Sequence, residues 1–198
     1  MNPIVERLKG SLESNDPAFQ EKGKLVFSAS DTVIEAGAEL ERAEAQADLL
    51  ARAYSNVSKQ LTDIQERLIP AKAADDHTQF MRVAEGQAFD VSLMTAKPLQ
   101  ARHDAILEFT HKLLTVFQPA TAENVTLARI RHLEASSRYH AATADFLLML
   151  TAAQVSEAGL LDKSAVLDPS RGITGEHRAE AARTAGEAER MGRATHKV

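Results

Sequence analysis

Apolar residues recur every seven positions along the first third of the chain. Steps of seven from Phe19 to Leu68, and from Ala29 to Ile64, meet an apolar residue each time. The two sets are Phe19, Val26, Val33, Leu40, Ala47, Tyr54, Leu61 and Leu68, and Ala29, Ala36, Ala43, Leu50, Val57 and Ile64. A strict apolar heptad repeat is typical of a long helix with a coiled-coil seam. It predicts one helix over about residues 17–69, ended before Pro70 because a residue preceding proline avoids the α conformation.

Helical spacing of apolar residues continues after Pro70, in segments that prolines separate. It predicts a helix from about Ala73 to Met94, another up to Gln118 and Pro119, and a last one from about Thr121 to Leu161. No sustained alternation typical of strands occurs. The predicted fold class is therefore all-α: an elongated antiparallel helical bundle or coiled coil. Residues 1–161 form the predicted helical coiled-coil domain, and residues 162–198, with little apolar bulk, form a flexible or weakly helical tail.

Composition excludes several classes of chemistry. The 198 residues include no Cys, so disulfides, Cys-ligated metals and thiol nucleophiles are ruled out. Neither a Gly-x-Ser-x-Gly motif nor a Gly-rich phosphate loop is found. We therefore expect no enzyme activity and no cofactor. The net charge of −5 and the lack of a basic stripe with aromatic residues argue against nucleic-acid binding.

The chain shows no targeting or membrane-spanning segment in its sequence. Its longest apolar run, residues 146–150, is far shorter than the roughly 20 residues that span a bilayer. We therefore expect a cytoplasmic protein, with a position at the membrane surface as the alternative.

Two features give candidate interface residues. Small Ala residues in the heptad seam allow close approach of a second helix, and the run at residues 146–150 is apolar on all sides, unlike a bundle-surface helix. The candidates are Ala29, Ala36, Ala43, Ala47, Leu50, Tyr54, Phe146, Leu147, Leu148 and Leu150. For the seam, packing within the chain is the alternative to an antiparallel dimer. For the apolar run, burial by the chain itself is the alternative to an interface.

Charge is distributed unevenly along the chain. Residues 31–90 carry a net charge of −6 and residues 91–140 a net charge of +2. The acidic and basic regions could pair head-to-tail, or the basic region could contact phosphate. The alternative is that both regions are solvated helix faces. The candidate phospholipid contacts are Lys97, Arg102, Lys112, Arg129, Arg131 and Arg138.

One short motif suggests metal chemistry. Glu108 and His111 have the Glu-x-x-His spacing of carboxylate-bridged di-metal bundles. Such a site needs a second Glu-x-x-His, and no other His has an acid three residues before it. We therefore expect no metal site.

These patterns favour a non-enzymatic coiled-coil scaffold that acts by self-association, as a homodimer, and by docking an unidentified protein partner. Long helices broken by prolines, with a dimer expected, are also similar in outline to BAR-type membrane-curving domains. That resemblance implies a peripheral membrane-binding dimer as the alternative. A helical-bundle metal protein or enzyme built around Glu108 and His111 is the second alternative.

Overall fold

The computed structural model of the chain describes residues 17–149 and 172–195. All regular structure in these ranges is helical, which confirms the predicted all-α class. The elements in chain order are α1 (Pro17–Ala84), a 3₁₀ turn (Val91–Leu93), α2 (Ala96–Lys112), a π-helical turn (Leu113–Phe117), α3 (Gln118–Leu147) and α4 (Gly172–Thr195).

Helix α1 continues through Pro70, so the prediction that it ends at residue 69 is wrong. A proline inside a helix removes one backbone hydrogen bond and crowds the carbonyl four residues earlier, which costs about 3 kcal/mol. Pro70 is exposed, whereas Leu68 before it and Asp75 after it are buried. Burial on both sides of the proline therefore outweighs the local preference of the backbone.

Helix α1 ends instead at Ala84, just before Gly86 and inside the stretch predicted to be helical up to Met94. The Gly86 N–H donates to the Val83 carbonyl and the Gln87 N–H to the Arg82 carbonyl. These two bonds form a Schellman motif, which requires a left-handed residue, and Gly86 has a φ of 78°. Glycine adopts this conformation without a Cβ penalty, so the chain turns here and not at the proline.

The prediction that Gln118 and Pro119 close a helix is also wrong. Helix α2 passes into α3 through the π-helical turn, in which the Gln118 N–H donates to the Leu113 carbonyl five residues earlier. In a regular α-helix the Pro119 ring would crowd the Thr115 carbonyl. The wider π turn relieves that contact, and the chain continues as a helix.

The chain divides into two compact units, Met1–Glu44 with Glu123–Val198, and Ala45–Ala122. We call the first the three-helix unit, because it contains the start of α1, nearly all of α3, and α4. Within it, the Lys22 ammonium lies 3.1 Å from the Asp145 carboxylate, and the Arg129 guanidinium lies 2.9 Å from the Glu44 carboxylate. Since residue numbers rise along α1 as they fall along α3, these two helices are antiparallel.

Helix α4 packs antiparallel to α3 in the same unit. The Ser137 hydroxyl donates to the Ala181 carbonyl at 2.9 Å, and the rings of His140 and His177 are in contact. Thr174, Thr184 and Ala188 of α4 are buried.

The region expected to be a flexible or weakly helical tail thus contains a packed helix over residues 172–195. Its apolar content is low, but short side chains suffice to fill a close helix–helix contact. The predicted boundary at residue 161 lies outside the described residues.

The second unit, Ala45–Ala122, is here called the hairpin unit, because the rest of α1 turns back into α2. The Asp75 carboxylate accepts hydrogen bonds from the backbone N–H groups of Thr95 and Ala96, at 2.9 and 2.7 Å. A second contact lies ten residues earlier on α1 and seven residues later on α2, where the Gln65 amide nitrogen is 3.3 Å from Nε2 of His103. These contacts pair two antiparallel helices.

Candidate docking surface

Exposed apolar side chains are concentrated in the hairpin unit. Of the seventeen large apolar side chains that are exposed in the described part of the chain, fourteen belong to residues 45–122. Ile69 and Phe80 are the most exposed, at 72% and 69%. The three-helix unit contributes only Leu25, Ile34 and Leu127. The distribution identifies the hairpin unit as the part of the molecule with an uncovered apolar surface.

The number of helices in each unit explains this difference. Two paired helices bury one stripe each and leave their flanks in solvent, whereas a third helix covers a flank. In the hairpin unit the buried apolar side chains are only Ile64, Leu68, Ala96 and Leu113 among the described residues. Large exposed apolar patches on a protein surface mark interaction sites.

The densest group of exposed apolar side chains lies where α1 turns towards α2. We call residues 80–93 the corner. Six of its side chains are between 44% and 69% exposed: Phe80, Met81, Val83, Phe89, Val91 and Leu93. The Gln79 side chain holds the corner in place, because its amide donates to the Asp90 carbonyl at 2.7 Å and its carbonyl accepts from the Asp90 N–H at 3.1 Å.

Two of the three charged side chains of the corner, those of Arg82 and Asp90, are hydrogen-bonded within it. The Asp90 carboxylate accepts hydrogen bonds from the Ser92 hydroxyl and backbone N–H, at 2.6 and 2.9 Å, which lower the pKa of Asp90. The Arg82 guanidinium donates to the Ala88 carbonyl at 3.4 Å. The corner therefore combines six exposed apolar side chains with one base and two acids.

The exposed apolar set extends from the corner along α1. Ile69, Phe80 and Val83 are separated by 11 and 3 residues, which places them on one face of the helix. All three are more than half exposed. This face and the corner together form the candidate docking surface.

This surface was not predicted from the sequence. Phe80, Val83 and Val91 have helical spacing, and we interpreted them as part of a helix running to Met94. The available signal was Gly86, which interrupts that stretch and separates Phe80 from Phe89. Periodicity identifies which residues share a face, but it does not show whether another element covers that face.

The structure places the predicted seam residues within the chain's own packing. Ala36 and Ala43 are buried in the three-helix unit, and Ala29 is half-buried. A cleft beside α3 is lined by Ala36 together with Ala135. At these positions the small seam residues allow α3 of the same chain to approach, as the intramolecular alternative proposed.

The remaining seam residues lie in the hairpin unit. Ala47, Leu50 and Tyr54 line a cavity of about 450 Å³ whose opposite wall includes Leu113 and Leu114. The small side chain at Ala47 thus leaves space that the facing leucines do not fill.

The apolar run at residues 146–150 is packed differently from the interface that we predicted. Phe146 and Leu147 are each 0% exposed and form a core cluster with Phe19 and Val26. A partner cannot reach either side chain without opening this core, so at these two positions the chain buries itself. Leu148 is half-buried, and Leu150 lies outside the described residues.

The six candidate phospholipid contacts are divided between the two units. Lys97, Arg102 and Lys112 belong to the hairpin unit, and the other three belong to the three-helix unit. Four of the six lie within ion-pair distance of an acid: Lys112 of Glu108, Arg129 of Glu44, Arg131 of Glu39, and Arg138 of Glu134. These acids reduce the positive potential available to lipid phosphates.

The Glu108 carboxylate forms an ion pair with a base on the same helix. The Lys112 ammonium lies 2.7 Å from it and lowers the pKa of Glu108. Within residues 17–149 and 172–195, no group of three or more His, Asp or Glu side chains is placed to hold a metal ion.

Two histidines from different helices meet inside the three-helix unit. Nδ1 of His140 on α3 lies 2.7 Å from Nδ1 of His177 on α4. One nitrogen must donate and the other accept, so this bond cannot form when both rings are protonated. Burial lowers the pKa of His140, and burial together with the charge of His140 lowers the pKa of His177.

We expect this pair to make the protein less stable in mild acid. Both folded-state pKa values lie below the ordinary value of 6.5, so the unfolded chain binds more protons. The stabilising contribution is present above pH 6.5 and is lost as the pH falls through the lower, folded-state values. Glu180 and Glu176 oppose this effect, and Arg183 reinforces it.

Thermal unfolding of the wild type at pH 7.5 and 5.5 should show a midpoint several degrees lower in acid. His177→Gln should reduce this difference, whereas the same change at the exposed His77 should leave it intact. A His177→Gln protein with the wild-type pH dependence would contradict the role of the pair.

Comparison of the chain with protein-family models, with curated proteins and with solved structures finds no match. None of the described helices is both long enough and apolar enough to cross a membrane. Any function must therefore be inferred from the surfaces and cavities of the chain itself.

Proposed function

We propose that this protein is a non-enzymatic scaffold that self-associates through its hairpin unit and docks a partner protein. The supporting observation is the concentration of exposed apolar side chains in that unit, fourteen of seventeen in the described chain. Leaving this much apolar surface in water is unfavourable, at roughly 25 cal/mol per Å². Association that covers the surface recovers this free energy.

A second copy of the chain is the proposed occupant of the docking surface. Two helices from each copy make a four-helix bundle, which is a stable way to bury the apolar flanks of helical hairpins. In a two-fold dimer the same patch meets itself, so it must not repel itself. The corner suits this requirement, because its net charge is only −1, from Arg82, Glu85 and Asp90, among six exposed apolar side chains.

The scaffold role includes a further, heterologous partner. Two surfaces remain for this partner protein. One is formed by exposed apolar residues of the hairpin unit that the dimer leaves uncovered, and the other by the charged outer faces of the three-helix unit. A cytoplasmic location is part of the proposal.

Replacing two of the most exposed side chains on α1 should abolish the dimer. The double variant Ile69→Glu/Phe80→Glu places two like charges opposite two more across the proposed two-fold axis. We expect the dimer dissociation constant to rise by roughly a hundredfold or more. Analytical ultracentrifugation should find twice the chain mass for the wild type and the single-chain mass for the variant.

The control is Ile34→Glu, which changes an isoleucine of the three-helix unit that is also more than half exposed, at 58%. This variant should remain dimeric, and circular dichroism should show equal helix content in all three proteins. A monomeric wild type, or an unchanged mass for the double variant, would contradict the proposal. Binding of the wild-type chain to anionic liposomes, lost in the double variant, would instead favour a membrane as the occupant.

A further inference from the structure

We infer that the cavity in the hairpin unit is a binding site for a neutral, mostly apolar small molecule that carries one hydrogen-bond donor. Its volume of about 450 Å³ lies within the range of roughly 300–1,000 Å³ that is typical of ligand pockets. The cavity is bounded by α1 on one side and by the π-helical turn and the start of α3 on the other. This inference is independent of the proposed self-association.

The lining specifies an uncharged and largely apolar ligand. None of its nine residues is charged, and six are Ala or Leu. The polar side chains in the wall are those of Tyr54, Gln118 and Thr121. A charged ligand would lose its hydration here without gaining a counter-charge, which is strongly unfavourable.

The π-helical turn leaves one backbone carbonyl without a helical hydrogen bond, and a donor on the ligand could bind to it. The α-helical donor to the Leu114 carbonyl would be the Gln118 N–H, but that group donates to the Leu113 carbonyl. The π-helical donor would be residue 119, which is proline and has no N–H. Within residues 113–119, which the structure describes throughout, the Leu114 carbonyl is therefore left without its helical donor.

This acceptor belongs to a residue that lines the cavity. Leu114 is one of the nine lining residues and is 42% exposed. A ligand hydroxyl or N–H seated against Leu114 would supply the missing donor, and a hydrogen bond made in an apolar site is stronger than one made in bulk water. The cavity therefore suits a ligand with an apolar body and one hydroxyl or N–H group.

The origin of the cavity also fits a binding role. Small residues on both walls, Ala47 and Ala51 on α1 and Ala122 on α3, leave the space open. Because several lining residues are exposed, including Ala51 and Ala122, a ligand can enter the space from solvent without opening the unit. π-helical turns inside α-helices are frequent at functional sites.

N-phenyl-1-naphthylamine is a suitable probe, because it is neutral, apolar, carries one N–H, and fluoresces strongly when it leaves water. Titrated into the full chain, it should bind saturably with one molecule per chain. Its N-methyl derivative lacks the donor and should bind roughly tenfold more weakly. Equal affinity for the two probes would overturn the role of the Leu114 carbonyl, and absence of saturable binding would overturn the site.

Cavity-filling variants locate the probe. Ala51→Phe and Ala122→Phe fill the site from opposite walls, and both replace exposed alanines, so the fold should tolerate them. Each should weaken binding by about tenfold or more, while Ala45→Phe, an exposed change on α1 outside the lining, should not. Unchanged binding in both cavity variants would overturn the proposal, since the probe would then lie on another apolar surface.

The dimer-disrupting variant Ile69→Glu/Phe80→Glu separates the two proposals. It should bind the probe like the wild type, because neither residue lines the cavity. If only the double variant bound the probe, the second copy would itself fill the cavity, and the small-molecule site would be overturned.

Discussion

Phe146→Ala should lower the free energy of unfolding by about 3–5 kcal/mol, the range for removing a fully buried aromatic side chain. Phe146 is 0% exposed, and its ring centroid lies 5.0 Å from that of Phe19. The substitution removes this ring contact and leaves a void between α1 and α3, lined by Val26 and Leu147. Since the cluster holds the three-helix unit together, relaxation around the void should be limited. Urea denaturation followed by circular dichroism measures the change.

The matched control is Phe109→Ala, which removes the same ring from a position that is 46% exposed. That change should cost less than about 1 kcal/mol. The Phe146→Ala protein should also keep the oligomeric mass of the wild type, because Phe146 is covered by its own chain. Similar losses of unfolding free energy for the two variants, or dissociation of the Phe146→Ala protein, would indicate that Phe146 lies in an interface, as the sequence predicted.

Asp75→Ala should have the second-largest effect, because it removes the buried cap of α2. The helix has Thr95 at its N-cap, but the Thr95 side chain makes no capping bond. The Asp75 carboxylate, on α1, accepts from the Thr95 N–H, the Thr95 hydroxyl and the Ala96 N–H instead. Asp75 and Ala96 are each 4% exposed, so removing the carboxylate leaves the buried Ala96 N–H without a partner. The thermal midpoint should fall by roughly 5 °C.

The neighbouring Asp76 is exposed, so Asp76→Ala is the matched control and should leave the midpoint nearly unchanged. The pH dependence provides a second readout. The backbone N–H groups of Ala96 and Thr95 lower the pKa of Asp75 below its ordinary value of 3.8. Its contribution is therefore present above pH 3.8 and is lost as the pH falls through the lower folded-state pKa. The midpoints of wild type and Asp75→Ala should converge in acid; a constant difference would contradict the role of the carboxylate.

The helical pattern of the chain could be predicted to a large extent. The heptad repeat from Phe19 to Leu68 lies within α1, and the low Gly and Pro content is consistent with few, long elements. The prolines misled the prediction at two places, Pro70 and Pro119. The local rule at each was physically correct, but burial beside Pro70 and a π turn before Pro119 allow the helix to continue. Local preferences of about 3 kcal/mol are within reach of tertiary packing.

The candidate surfaces could be predicted less well. The Ala seam and the apolar run at residues 146–150 were identified from the sequence, but the elements that pack against them were not. An apolar periodicity looks the same whether the chain or a second molecule covers it. Ala36 and Phe146 are covered by the chain itself, whereas Phe80, with equally regular spacing, is exposed.

The sequence by itself determined that this protein is all-α, where most helical residues lie, and that thiol chemistry is excluded, because these properties depend on composition and short-range spacing. The tertiary structure decided which apolar faces are buried, since burial depends on elements distant in the sequence. It also paired His140 with His177, placed Asp75 at the start of α2, and left the Leu114 carbonyl without a helical donor beside a cavity. Each of these depends on contacts between helices or on the hydrogen-bond register of one turn, which no local pattern encodes.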